Sequence, residues 1–163
     1  MSLEQIRKPE VDEYSYQEPI TVGEALEATT LSIADKPIDP SDAAAIQTAE
    51  TRATVRCDRQ LGGLSATAQS AATFNARAAR DEDKITISDV LPDASVRLHH
   101  DKAATDEDAE EVIRAERTVK PAESTTPGGV AATMASAARA VISEALGFKI
   151  TDNGQSNFVV NSI

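Results

Sequence analysis

PGGVAATMASAARAVISEAL, residues 127–146, reads as an alanine-rich helix opened by two glycines, and it echoes LGGLSATAQSAATFNARAA at residues 61–79. Gly62, Gly63, Ala66, Thr67, Ser70, Ala71 and Ala72 recur as Gly128, Gly129, Ala132, Thr133, Ser136, Ala137 and Ala138, 66 positions later. A long echo at fixed period is the mark of a duplicated structural unit. Working outward, ITVGEAL from Ile20 returns as ITISDVL from Ile85 at an offset of 65. Asp35-Lys36, Asp42-Ala43 and Ala49-Glu50 return as Asp101-Lys102, Asp108-Ala109 and Ala115-Glu116 at an offset of 66. Across residues 35–72 this register gives 13 identities, too many for alanine bias alone.

Each copy reads as about three helices. Thr21 and Glu24 have capping-box spacing, which predicts a helix over residues 22–32. Asp39-Pro40-Ser41-Asp42 sets an N-cap, a first-turn proline and a first-turn acid, predicting a helix over 40–54 with Ala43, Ile46, Ala49 and Ala53 as its apolar stripe. A third helix follows over 64–79, with Leu64, Ala68, Ala71 and Phe74 near one face. In the second copy Thr86, Asp89 and Thr105 take the capping positions, and the last helix carries Val130, Met134, Ala137, Val141, Ala145 and Phe148 as one clean stripe. The expected organisation is a flexible tail over 1–19, a first repeat over 20–79, a charged linker over 80–84, a second repeat over 85–148 and a tail over 149–163. Within that last tail, Asp152-Asn153-Gly154 and Phe158-Val159-Val160 suggest a turn and a fragment of strand.

Composition predicts a weak core. The chain has 163 residues and 28 alanines, and only 33 residues are Leu, Ile, Val or Phe, about a fifth of the total. That fraction borders on the range in which a charged chain does not offset its conformational entropy, so the all-α repeats are expected to be largely disordered in dilute solution. A net charge of -11 adds self-repulsion and argues against a nucleic-acid partner, which needs clustered cations. The single cysteine rules out an intramolecular disulfide. The N-terminus lacks an apolar signal-peptide core and nowhere do 18 apolar residues run together, so a soluble, intracellular protein is expected.

Candidate sites are few. His99-His100 has no ligands at metal-site spacing and reads as solvated loop. Cys57 stands beside Asp58, which disfavours the thiolate, and reads as an inert thiol. The Gly-Gly pairs lack the lysine and spacing of a phosphate loop and read as tight helix entries. No catalytic, cofactor-binding or metal-ligating residue is assigned, and no cofactor is expected. Glu50 and Glu116 recur inside the apolar stripe, with Lys36 and Lys102 each 14 residues before them. Either each Glu reaches back to its Lys, fixing how the helix folds over, or both are solvated face charges.

The repeated pattern ITxGEAL…DKxxxxxDAAAIQxAExR…GGxxATAQSAAxFN resembles the seed maturation protein domain of late-embryogenesis-abundant proteins, over residues 20 to about 141 in two copies. Leu61 stands where the family pattern has proline, Leu64 replaces a small apolar residue, and longer family members carry an additional copy. The resemblance implies a plant protein that accumulates as seeds mature and dry, placed in cytoplasm and nucleus, with no enzymatic activity and no site residues to carry over.

The expected function is non-enzymatic protection of macromolecules during seed maturation and desiccation. Water satisfies exposed backbone groups while it is present, and its withdrawal leaves intrachain helix bonds as the remaining option. Partners are expected to be non-specific client proteins, with membranes on drying and weak self-association as further options, and no specific small-molecule ligand. The alternative is a folded interaction module that binds a partner or itself through Val130, Met134, Ala137, Val141 and Phe148.

Overall fold

Helices begin where the capping residues stand in a computed structural model, which describes residues 19–54, 63–98, 100–121, 125–146, 148–150 and 156–158, with side chains as far as residue 140. α1 spans Val22–Ile33, α2 Pro40–Thr54 and α3 Leu64–Arg77. A short 3-10 turn at Asp81–Asp83 leads to two single-turn helices, α4 at Ile87–Val90 and α5 at Ala94–Arg97. α6 spans Asp106–Val119 and α7 Val130–Leu146, and a small antiparallel pair, β1 Phe148–Ile150 with β2 Ser156–Phe158, follows. Thus the repeats are helical; of the expected strand fragment Phe158 falls in β2, while Val159, Val160 and the expected turn at Asp152-Asn153-Gly154 lie outside the described residues. Cys57, His99 and nearly all of the N-terminal tail lie outside the described residues.

Local chemistry explains the starts. At α1 Thr21 accepts from Glu24 N at 3.1 Å while the Glu24 carboxylate accepts from Thr21 N at 2.9 Å. The reciprocal box recurs at α2 with Asp39 and Asp42, and at α6 with Thr105 and Asp108. These boxes satisfy the N–H groups that have no partner within a helix's first turn. The first helix of the second copy does not stay whole. Pro92 has no N–H to bond back to Ser88, so the helical ladder stops there and the counterpart of α1 splits into α4 and α5.

The two copies interlock. Val22 N donates to Lys102 O at 2.8 Å and Ala104 N to Ile20 O at 2.9 Å; with the copies exchanged, Ile87 N donates to Lys36 O and Ile38 N to Ile85 O, both at 2.9 Å. Each repeat therefore opens by pairing with the inter-helix loop of the other. α2 packs on α6 at the centre, α1 packs on α7 of the opposite copy, and α3 and α7 flank α2 and α6. One continuous core results, and among the described residues 14 of its 26 buried apolar side chains are alanines. The core is as short of bulky groups as composition predicts, and it is shared: two alanine-rich halves pool Leu26, Ile38, Ile46, Leu64, Ile87, Leu91 and Met134 in one interior.

Two stripe assignments change. Phe74 is 50% exposed, and Asn75 takes the buried place beside it. On α7, Val130, Met134 and Ala137 are buried within the chain's own core, so this part of the stripe is no open docking face. Val141, Ala145 and Phe148 lie outside the residues whose side chains are described.

Candidate functional site

The polar groups that the fold draws inward form a duplicated set of clamps at helix ends. Lys36 pairs with Asp42, and Lys102 with Asp108, each six residues on; each lysine also donates to the carbonyl of the following residue, Pro37 or Ala103. Both aspartates are essentially inaccessible. An unpaired carboxylate there would be strongly disfavoured, which explains why the lysine travels with it in both copies.

Each clamp also takes a cation from the other repeat. Arg52, near the end of α2, donates to Asp108 at 2.8 Å, and Lys120, just past α6, donates to Asp39 at 2.9 Å. The end of each helix thus reaches the start of the other, so α2 and α6 run antiparallel with opposite dipole ends adjacent. Burial pushes the Asp108 carboxyl up, but Lys102, Arg52 and Thr105 outweigh it and hold the group below the ordinary range. At Asp39 burial again acts upward, and bonds from Ser41, Lys120 and the Asp42 amide, with the Lys36 charge, hold it well below. Asp42 goes the other way, because burial exceeds what Lys36 returns.

Glu50 and Glu116 do not bind Lys36 and Lys102, nor are they solvated. The Glu50 carboxylate accepts from Leu64 N at 2.8 Å and, more weakly, from Ser65 N at 3.5 Å. Gly63 precedes α3 and offers no side chain, so a carboxylate from α2 caps the helix in its place. Glu116 accepts from Thr126 N at 2.8 Å and braces the entry to α7. There Gly128 adopts φ 72°, a left-handed backbone that glycine enters without strain, in keeping with glycines that shape a helix entry.

No sequence motif marks Asn75. Its amide donates to Ile38 O at 2.9 Å and Ile85 O at 2.8 Å, and accepts from Ile85 N at 2.7 Å. A polar residue in register with Leu64, Ala68 and Ala71 was the available signal. Thr29 meets Thr133 at 2.8 Å, and Arg97 donates to Thr67 at 3.0 Å, so the third helix of each copy is tied to the first of the other.

Among the described residues every buried side-chain nitrogen or oxygen has a partner. These groups are spent on helix entries and on joining the repeats. One hollow, about 950 Å³ and open to solvent, lies along α3 with Gln69, Thr73, Phe74, Arg77 and Asp83 in its lining, and another, along α6, is lined by unrelated positions such as Glu110 and Arg114. His100 is exposed, and no three His, Cys, Asp or Glu among the described residues gather as metal ligands. None of the described helices is long and apolar enough to cross a membrane.

The family model described as seed maturation protein matches residues 20–78 and 85–140. Late embryogenesis abundant protein 3 of Arabidopsis thaliana is 54% identical over 120 residues, 74% of this chain and 66% of that protein. Late embryogenesis abundant protein D-34 of Gossypium hirsutum is 56% identical over 123 residues, 76% of this chain and 47% of its own length. Late embryogenesis abundant protein 49 of Arabidopsis thaliana is 38% identical over 117 residues, 72% of this chain and 66% of that protein. The chain thus spans between about half and two thirds of these relatives. No solved structure matches.

Proposed function

The chain belongs to the seed maturation protein family, and from that premise we propose that it is a non-enzymatic protectant whose helical structure is reinforced as water is withdrawn. The observation that carries this reading is the alanine content of the shared core, 14 of 26 buried apolar residues among those described. Alanine favours helix but buries little area, at about 25 cal/mol per Å². A fold held this way lies close to its stability threshold and responds to hydration, because backbone groups that lose water gain most by pairing within the chain. The net charge of -11 supplies carboxylates that replace hydration around clients and space them apart.

The clients in this reading are macromolecules of cytoplasm and nucleus, without a specific small-molecule ligand. Circular dichroism as a function of water activity tests the structural half, with helix content rising from dilute buffer to dried film. Equal content in both states overturns it. A labile enzyme dried with and without the protein tests the protective half, and equal recovery of its activity counts against protection.

A further inference from the structure

We propose that a second copy of this chain is a partner: two chains exchange their second repeats about residues 79–83, so that the first repeat of each pairs with the second repeat of the other. The bonds joining the repeats are reciprocal, as the pairs Val22 to Lys102 and Ile87 to Lys36 show, and so are the ties between first and third helices through Thr29 and Thr133 on one side and Arg97 and Thr67 on the other. Arg52 to Asp108 and Lys120 to Asp39 also cross from repeat to repeat. None of these contacts depends on the partner lying on the same chain. Exchange reproduces every one of them in a closed dimer related by a two-fold axis.

The connection suits a hinge. Ala79, Arg80, Asp81, Glu82 and Asp83 are all exposed, and the ion pairs there are short-range, Arg80 with Glu82 and Lys84 with Asp81. What favours the single chain is the tether, which for a short connection acts as an effective concentration on the order of 1 mM. At protein concentrations approaching that figure, pairing between chains competes on equal terms. The proposal does not rest on the protectant reading, since it needs concentration and not a client.

Two measurements on the full chain test it. Refolded from denaturant at about 1 mM and then diluted, the protein gives a dimer by light scattering that dissociates slowly and keeps the monomer's helical dichroism. For the second, Leu26→Asp in one chain and Met134→Asp in another each break that chain's own core. Refolded together, they yield a dimer in which the intact first repeat of one meets the intact second repeat of the other. About half of the wild-type helical signal returns with a cooperative melt, one core in two being intact. A chain that stays monomeric after concentrated refolding overturns the proposal. A wild-type dimer whose two broken variants show only the sum of their separate signals overturns it as well, because association then uses another surface.

Discussion

The Asn75 amide grips the Ile85 peptide from both sides, accepting from its N–H at 2.7 Å and donating to its carbonyl at 2.8 Å. It behaves as a borrowed strand, tying the end of α3 to the first residues of the second repeat, and its other amide hydrogen holds Ile38 O at 2.9 Å. Asn75→Ala leaves Ile85 N and Ile38 O without these partners, at about 1–3 kcal/mol for each group left unsatisfied. A urea midpoint lowered with unchanged slope is the expected result. Asn75→Asp keeps the acceptor and loses the donors, so its stability relative to Asn75→Ala improves in acid, where a protonated carboxyl donates again.

Gly23 lies at a close approach between the copies. A Cβ placed there would stand 2.5 Å from Ser95 Cα and 2.5 Å from an Asp101 carboxylate oxygen, while Gly23 N donates to the other Asp101 oxygen at 2.9 Å. Gly23→Ala raises helix propensity in α1 yet forces backbone apart. Overpacking of this kind costs about 1–3 kcal/mol and exceeds the gain of under about 1 kcal/mol from propensity. Thermal melts are expected to show a loss, and a stabilised variant would mean that α1 and α5 do not meet here.

How much of this was legible follows from range. Helix starts were readable, because Thr21 with Glu24 and Asp39 with Asp42 act within one turn. α1 and α2 accordingly begin at Val22 and Pro40 as the spacing predicts. The reciprocal pairing of repeats was not readable, because Val22 and Lys102 meet through backbone atoms that carry no residue signature. Spacing alone offers Lys36 the carboxylate of Glu50 or leaves both solvated, whereas Asp42 stands nearer in the chain and at the positive end of a helix. Phe74 drew the stripe by its hydrophobicity, yet the spacings from Leu64 through Ala68 and Ala71 continue to Asn75 as well as to Phe74. A sequence of few bulky groups makes one polar residue on an apolar face easy to pass over, and here that residue joins the halves.

Glu50 and Phe74 separate a buried carboxylate from an exposed ring. Glu50→Gln keeps an oxygen facing Leu64 N and is expected to cost little, while Glu50→Ala removes the only side-chain cap described at α3 and costs about 1–2 kcal/mol. Faster hydrogen exchange at the first amides of α3 in Glu50→Ala, and not in Glu50→Gln, is the check. Phe74→Ser, at a half-exposed position, is expected to stay within about 0.5 kcal/mol of wild type.

Acid separates the two clamps. Asp108 and Asp39 have folded values held below their ordinary range, so each adds stability that is present above its unfolded value, near 4, and is lost as pH falls through the lower folded one. Asp42 is raised, so the folded state takes up its proton first. Its contribution therefore improves as pH falls from the raised folded value toward about 4 and partly offsets the other two. Urea midpoints measured from about pH 7 down to about pH 2 are expected to fall below about pH 4 in wild type. Asp108→Asn is less stable at neutral pH, because Lys102 and Arg52 lose their carboxylate, and its acid limb is shallower. Asp42→Asn removes the opposing contribution, so its decline begins at higher pH than in wild type. Parallel acid limbs in all three proteins would show that the clamps carry no pH-dependent stability, and that the buried aspartates serve packing alone.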